Sequence, residues 1–169
     1  MPDYAFRPLE RADLPMVRHW ILQPHVARWW GDVDEEMAAI ATIFDDPHVE
    51  AFVMVLDGAP VGYFQAYDPN AEEGHPFAGE PAGTLGLDLS IGDPALVGRG
   101  HGSAFIRTFA EAAFARGVQR LVTDPHPDNP ASIRAFEKAG FVRREVRDLP
   151  HFGRFLFMTC DAAPAKVAP

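Results

Sequence analysis

Val97-Gly98-Arg99-Gly100-His101-Gly102 stands between an apolar run, Thr84–Ile91, and a helical one, Gly102–Arg116, and its reading decides the fold. The three glycines alternate, and each lacks the Cβ that would hold a ligand away from the backbone. Downstream, Phe105, Ile106, Phe109 and Ala113 recur at helical spacing and define one inward face. The first amides of such a helix have no intrahelical partner, and the dipole there favours an anion. Arg99 adds a charge whose planar fork suits phosphate oxygens. A pyrophosphate is the guest that suits this arrangement; a flexible connector is the other reading of the same glycines. The spacing does not fit the dinucleotide fingerprint G-x-G-x-x-G, and no Gly-Lys-Ser/Thr follows to make a P-loop.

Outward from this turn, Val118–Thr123 reads as a buried strand, so residues 84–124 require a parallel β-α-β crossover. Pro130–Ala139 is a helix stopped by Gly140, and Phe141–Val146 with Arg154–Thr159 form a closing pair of strands. Upstream, Tyr4–Leu9 is a strand. Leu14, Val17, Ile21 and Leu22 give a helix over Glu10–Leu22, ended by Pro24. Val26–Trp30 allows a short helical turn. Met37, Ile40, Ala41 and Phe44 predict a second helix over Val33–Phe44. Val49–Leu56 and Pro60–Tyr67 flank Asp57-Gly58, a strong hairpin signal. Asp68–Gly83 is a long loop of the kind that is either functional or disordered. The order β-α-α-β-β-β-α-β-α-β-β predicts an α+β domain with a mixed central sheet flanked by helices. One domain is expected over residues 1–161, with a small, Pro-rich, flexible tail over 162–169.

Composition narrows the function classes. The chain has 169 residues, 47% hydrophobic and 23% charged, which is ordinary for a soluble globular protein. A formal net charge of −9 argues against nucleic acid and anionic membrane as partners, since both need a basic face. It is compatible with a cationic substrate. Cys160 is the single cysteine, so no internal disulfide exists, and a buried strand residue is its expected role. The seven histidines lack ligand spacing, and no metal is expected. No apolar run long enough for a membrane span occurs, and no secretory signal opens the chain, so a cytoplasmic location is expected. The sequence leaves monomer and homodimer both open.

Two segments together resemble the GNAT (GCN5-related) N-acetyltransferases. The glycine turn matches that family's Gln/Arg-x-x-Gly-x-Gly/Ala motif at Gly100 and Gly102, with Val97 where Gln or Arg is typical. The second is Asn129-Pro130-Ala131-Ser132-Ile133-Arg134-Ala135-Phe136-Glu137-Lys138-Ala139-Gly140-Phe141, similar to Asn-x-x-(Ala/Ser)-x-x-x-(Tyr/Phe)-x-x-x-Gly-Phe. The subgroup most resembled is the aminoglycoside 6'-N-acetyltransferases. Trp29-Trp30-Gly31, Gly58-Ala59-Pro60-Val61-Gly62-Tyr63, Gly86-Leu87-Asp88 and Thr123-Asp124-Pro125 extend that likeness over most of the chain. Siderophore-type hydroxylamine acyltransferases share the early tryptophans and the fold, and fold does not fix substrate.

The resemblance implies acetyl-CoA as co-substrate, bound where two parallel strands splay, with direct acetyl transfer to an amine in a ternary complex. It implies cofactor contacts at Leu89, Ile91, Val97, Gly98, Arg99, Gly100, His101, Gly102, Ser103, Asn129 and Phe136. It assigns the catalytic carboxylate to Asp88 and a substrate-amine contact to Asp124. The residues themselves also admit a solvated Asp88, an Asp-Pro turn at Asp124, and a helix cap at Asn129. A primary ammonium has a pKa of about 10, so a base must free the amine. An amide near Leu89–Ile91 is expected to meet the thioester oxygen. Phe136 stands where the family's tyrosine protonates the departing thiolate, and Tyr4, Tyr63 and Tyr67 all lie far upstream.

Asp68, Glu72, Glu73 and Glu80 in the long loop, with Asp32, Asp34, Glu35 and Glu36, form either solvated faces or an acidic rim for a cationic acceptor. Trp29 and Trp30 form either an apolar wall of the acceptor cleft or core. Cys160 lies outside both motifs, so no acyl-enzyme is expected. The leading expectation is an N-acetyltransferase acting on a cationic, aminoglycoside-like primary amine. A hydroxylamine or metabolite acyltransferase and a catalytically silent acyl-CoA-binding module are the alternatives.

Overall fold

The computed structural model describes residues 1–164. Its strands are β1 (Tyr4–Pro8), β2 (Val49–Leu56), β3 (Ala59–Tyr67), β4 (Leu85–Ile91), β5 (Arg120–Thr123), β6 (Val142–Leu149) and β7 (Gly153–Asp161). Its helices are α1 (Leu14–Ile21), α2 (Pro24–Trp30), α3 (Val33–Thr42), α4 (His101–Ala115) and α5 (Pro130–Lys138). The seven strands make one sheet in the order β1-β2-β3-β4-β5-β7-β6. Only the β4–β5 pair is parallel. The mixed sheet and the single crossover follow the sequence expectation.

Strand alternation sends the two faces of β4 to different cores. Leu85, Leu87, Leu89 and Ile91 join the cluster built with Phe105, Ile106 and Phe109 of α4 and Ile133 and Phe136 of α5. Asp88 and Ser90 point the other way. On that side Val17 and Ile21 of α1 and Ile40 of α3 pack on Val53 and Tyr63. The β2–β3 hairpin turns through Asp57 (φ 50°) and Gly58 (φ 82°), as its Asp-Gly pair predicts. Cys160 is buried on β7.

Three expectations need correction. The helix expected over Glu10–Leu22 starts as a 3-10 turn at Arg11–Asp13, because Asp13 turns back to accept from the Glu10 amide at 2.9 Å. Pro24 does not merely end a helix; it opens α2 as its first residue, so three helices precede β2. Val118 precedes β5, which starts only at Arg120.

The loop over 68–83 is held in place. Phe77 is buried among Val122, Phe155 and Phe157. Arg120 pairs with Glu80 at 3.0 Å and Asp161 at 2.6 Å, and Asn70 bridges the Gly79 amide and the Glu80 carbonyl. Of the tail expected over 162–169, residues 165–169 lie outside the described residues.

Candidate active site

β4 and β5 pair only at Leu85↔Leu121 and Gly86↔Val122. One step further, the Thr123 hydroxyl donates to the Leu87 carbonyl at 3.1 Å, so a side chain spans the gap that the ladder leaves. Continuing that register sets Asp88 opposite Asp124, on the two strands as they part. The N–H and C=O of one strand residue share an edge, and the edge alternates along the strand. Leu87 faces β5, so the Leu89 and Ile91 amides face the opening. The Ile91 carbonyl is taken by His25 of α2, whose Nε2 donates at 2.8 Å.

The two carboxylates share one electrostatic problem. Burial raises the Asp88 pKa, and a hydrogen bond from Gln65 opposes the rise. Burial first, and the charge of Asp88 second, push Asp124 up to about 7. Two like charges this close do not both ionise readily, so the pair titrates as a unit. Glu36 on α3 is raised in the same sense, by burial and then by Asp88.

Asp88 is oriented by a relay along β3. The Tyr63 hydroxyl donates to Gln65 Oε1 at 2.7 Å, and Gln65 Nε2 donates to Asp88 Oδ2 at 2.7 Å. Tyr63 thereby fixes which end of the amide faces the carboxylate, and Gln65 leaves Asp88 Oδ1 free. Gln65→Leu is expected to cut kcat by about tenfold with little change in the acetyl-CoA KM, since one hydrogen bond to a charged group is lost. Gln65→Glu, which places a second carboxylate against Asp88, is expected to shift the pH–rate profile upward, whereas Gln65→Leu shifts it less. Steady-state kinetics across pH checks both.

At the other end of the opening, Gly98 (φ +77°) and Gly100 (φ +87°) take left-handed backbone, and Gly100 caps α4. Val97, Gly98, Gly100, Gly102 and Ser103 line the cleft. The Ser103 hydroxyl donates to the Gly100 carbonyl at 2.8 Å and stiffens the turn. Arg99 and His101 do not line the cleft; His101 turns toward β1, where its Nδ1 meets the Tyr4 hydroxyl at 2.9 Å. Asn129 both caps α5, accepting from the Ser132 amide at 3.2 Å, and lines the cleft. Ala135 packs beside Gly102, and its helix neighbours Arg134 and Lys138 line the same side. Phe136 lines the cleft while its ring packs on Phe141.

These parts enclose one continuous cleft of about 1520 Å³. Its acid half carries Glu36, Asp68, Glu72, Asp88 and Asp124. Trp29 is a wall, stacked on His126 at 5.5 Å, whereas Trp30 both lines the cleft and packs on Tyr63. Glu73 lies outside the lining. Asp32 caps α3, Asp34 pairs with Arg18, and Glu80 pairs with Arg120, so these acids serve structure. Gln65 was not singled out from sequence, Tyr67 was noted only as a distant phenol and Glu36 only as one member of an acidic run, yet all three line the cleft. The period-2 reading of β3 puts Tyr63, Gln65 and Tyr67 on one face, yet only the β3–β4 register sets that face against Asp88. Tyr63 and Tyr67, far upstream in sequence, are adjacent to β4 in space. Among the described residues no cluster of His, Cys, Asp or Glu is arranged to hold a metal, and no helix is long and apolar enough to cross a membrane.

The acetyltransferase (GNAT) domain family matches residues 10–149. The aminoglycoside N(6')-acetyltransferase type 1 of Klebsiella pneumoniae is 30% identical over 157 residues, covering 86% of this chain and 77% of that protein. The structure of AAC(6')-Ib with paromomycin and acetyl-CoA superposes with a TM-score of 0.83 at 27% identity, covering 94% of this chain and 93% of the other. The complex of aminoglycoside acetyltransferase AAC(6')-Ib with coenzyme A and kanamycin gives 0.82 at 26% identity, over 94% and 95% of the two chains. Sequence match, sheet order and the β4–β5 opening agree, and the chain belongs to the GNAT acetyltransferase family.

Proposed function

We propose that this protein transfers the acetyl group of acetyl-CoA to a primary amine of a cationic, aminoglycoside-like small molecule, directly within a ternary complex. The observation that carries this reading is the Asp88–Asp124 pair at the strand opening, set in an acid-lined cleft that runs to the glycine turn of α4. The acid half suits an ammonium, and the turn with Arg134 and Lys138 suits phosphates.

Each step has a residue suited to it. The carboxylates draw the ammonium in, and Asp88 accepts its proton through the oxygen that Gln65 leaves free. The neutral amine attacks the thioester carbonyl. The Leu89 amide faces the opening and stabilises the oxyanion. The attacking nitrogen sheds its second proton to solvent as the C–S bond breaks and the thiolate leaves. With a thiol pKa of about 8.5, it departs readily as an anion and takes its proton from solvent.

We further infer one acetyltransferase domain over residues 1–161. Its setting is cytoplasmic, to which a single buried thiol is suited. A second reading, acyl-CoA binding without turnover, rests on Phe136 and Val97, which depart from the family pattern. Mixing the protein with acetyl-CoA and a panel of aminoglycosides, polyamines and hydroxylamines, and following free thiol, separates the two. Release with aminoglycosides supports the transferase; binding of acetyl-CoA with no release on any amine supports the silent module.

Phe136→Tyr is expected to raise kcat by less than about tenfold, because the leaving group needs little help. The variant alone should lose rate toward pH 10 as its phenol ionises. A pH series of kcat on both proteins reads this directly, and a larger gain would mean that thiolate departure limits turnover.

A further inference from the structure

Tyr67 ends β3 directly opposite Gly86 of β4. Paired residues share a face, so Tyr67, Gln65, Asp88 and Asp124 all look into the acid half. Tyr67 does not stand upright there. Its ring lies across Gly86: a Cβ on that glycine would come within 2.2 Å of Tyr67 Cζ and 2.7 Å of its hydroxyl. Glycine is thus required at position 86 for close approach, and the phenol is carried over β4 toward β5. Gly86 is one pleat before Asp88, and its β5 partner Val122 is one pleat before Asp124. The hydroxyl therefore lies about 6–7 Å along the strands from the carboxylate pair.

Tyr67 lines the cleft, and among the described residues its hydroxyl has no hydrogen-bond partner, unlike the Tyr63 hydroxyl on the same face, which is committed to Gln65. Burial first, and then the charges of Asp88, Asp124 and Glu72, hold the phenol protonated far into the alkaline range. It is a permanent O–H donor placed among groups that attract cations.

We propose that Tyr67 is a specificity-determining residue whose phenol donates a hydrogen bond to an oxygen that the acceptor carries close to its reacting amine. This rests on the reading above that Asp88 and Asp124 hold that amine. An ammonium or a methylene at the same place has no lone pair to offer, and would bury the O–H unpaired. The preferred acceptor is then an amino sugar or amino alcohol rather than a plain alkyl polyamine.

The test compares the full-length protein with Tyr67→Phe, which removes only the oxygen. Thiol release from acetyl-CoA is measured with kanamycin, whose amines neighbour hydroxyl or ring oxygens, and with spermidine, whose amines neighbour only methylenes. Calorimetric binding of each amine to the CoA-loaded protein runs in parallel. The expected result is a fall of about tenfold in kcat/KM and affinity for kanamycin, with spermidine values within about twofold of wild type. Equal losses on both amines, or no loss on kanamycin, would overturn the proposal while leaving the transferase reading intact. If wild type turns over neither amine, the transferase reading fails, and the binding isotherms still decide the role of Tyr67. Binding of neither amine by wild type overturns both.

Discussion

Asp88→Asn is expected to lower kcat by about 10²–10⁴-fold, the range typical for loss of a positioned general base. The KM for acetyl-CoA should change little, because the α4 turn proposed to hold the phosphates lies apart from the carboxylates. Asparagine keeps the shape and can still accept from Gln65, so the loss reports proton acceptance rather than collapse of the relay. Two pH signatures accompany it. In wild type, kcat/KM should climb through about pH 7 as the pair sheds its shared proton. In the variant the remaining limb should move down, because Asp124 has lost the neighbouring charge that helps raise it.

The second signature is in stability. Both carboxylates have folded-state pKa values above their unfolded ones. Between the ordinary carboxylate range and about pH 7 the folded state therefore holds more protons than the unfolded state, and the pair's contribution falls as pH rises. Asp88→Asn removes part of that fall. Its melting temperature should match wild type near pH 4 and exceed it at pH 8. Thermal melts over that interval, with initial rates on the same samples, check both. A variant that keeps wild-type kcat would remove Asp88 from the mechanism.

Gly100→Val is expected to weaken acetyl-CoA binding by about a hundredfold, the loss of one or two charge-assisted hydrogen bonds from the turn. Gly100 sits at φ +87° as the cap of α4, and a β-branched residue there is strained. Apart from its own chain neighbours and nearby backbone, no atom of the described residues lies within 4 Å of the position its Cβ would take, so the new side chain has room in the fold and projects from the turn into open space. The chain should still fold, at a cost of roughly 1–2 kcal/mol from the left-handed backbone. Gly102→Ala is the control. Its backbone is ordinary helix, and its Cβ would meet Ala135 at 3.7 Å and Ile91 at 3.9 Å, which is normal contact. Calorimetric titration with acetyl-CoA should leave Gly102→Ala close to wild type. Equal weakening in both variants would mean that the whole turn, rather than its Gly100 cap, sets the affinity.

The sequence by itself determined the glycine turn, the helix it opens, the Asp-Gly hairpin and the strand that carries Asp88. Each is encoded by residues near one another, through periodicity or through a backbone angle only certain residues accept. The Asp-Pro pair also marked the end of the crossover strand at Asp124, while a substrate contact there was implied by the family resemblance alone. The family resemblance added the expectation that these pieces meet around acetyl-CoA, and the match over residues 10–149 agrees with it.

Only the tertiary structure decided which acids share the cleft. Glu36 and Asp34 lie in one acidic run, yet helical rotation sends Glu36 into the site while Asp34 pairs with Arg18 on the surface. The long loop looked open to disorder because its order comes from distant residues: Phe77 among strand phenylalanines, and Glu80 on Arg120. The Tyr63–Gln65–Asp88 relay and the slot that Gly86 leaves for Tyr67 depend on the register between β3 and β4. Register is a non-local choice, made by how both strands bury their faces against separate helices, and a shift of one residue would turn every one of these side chains away.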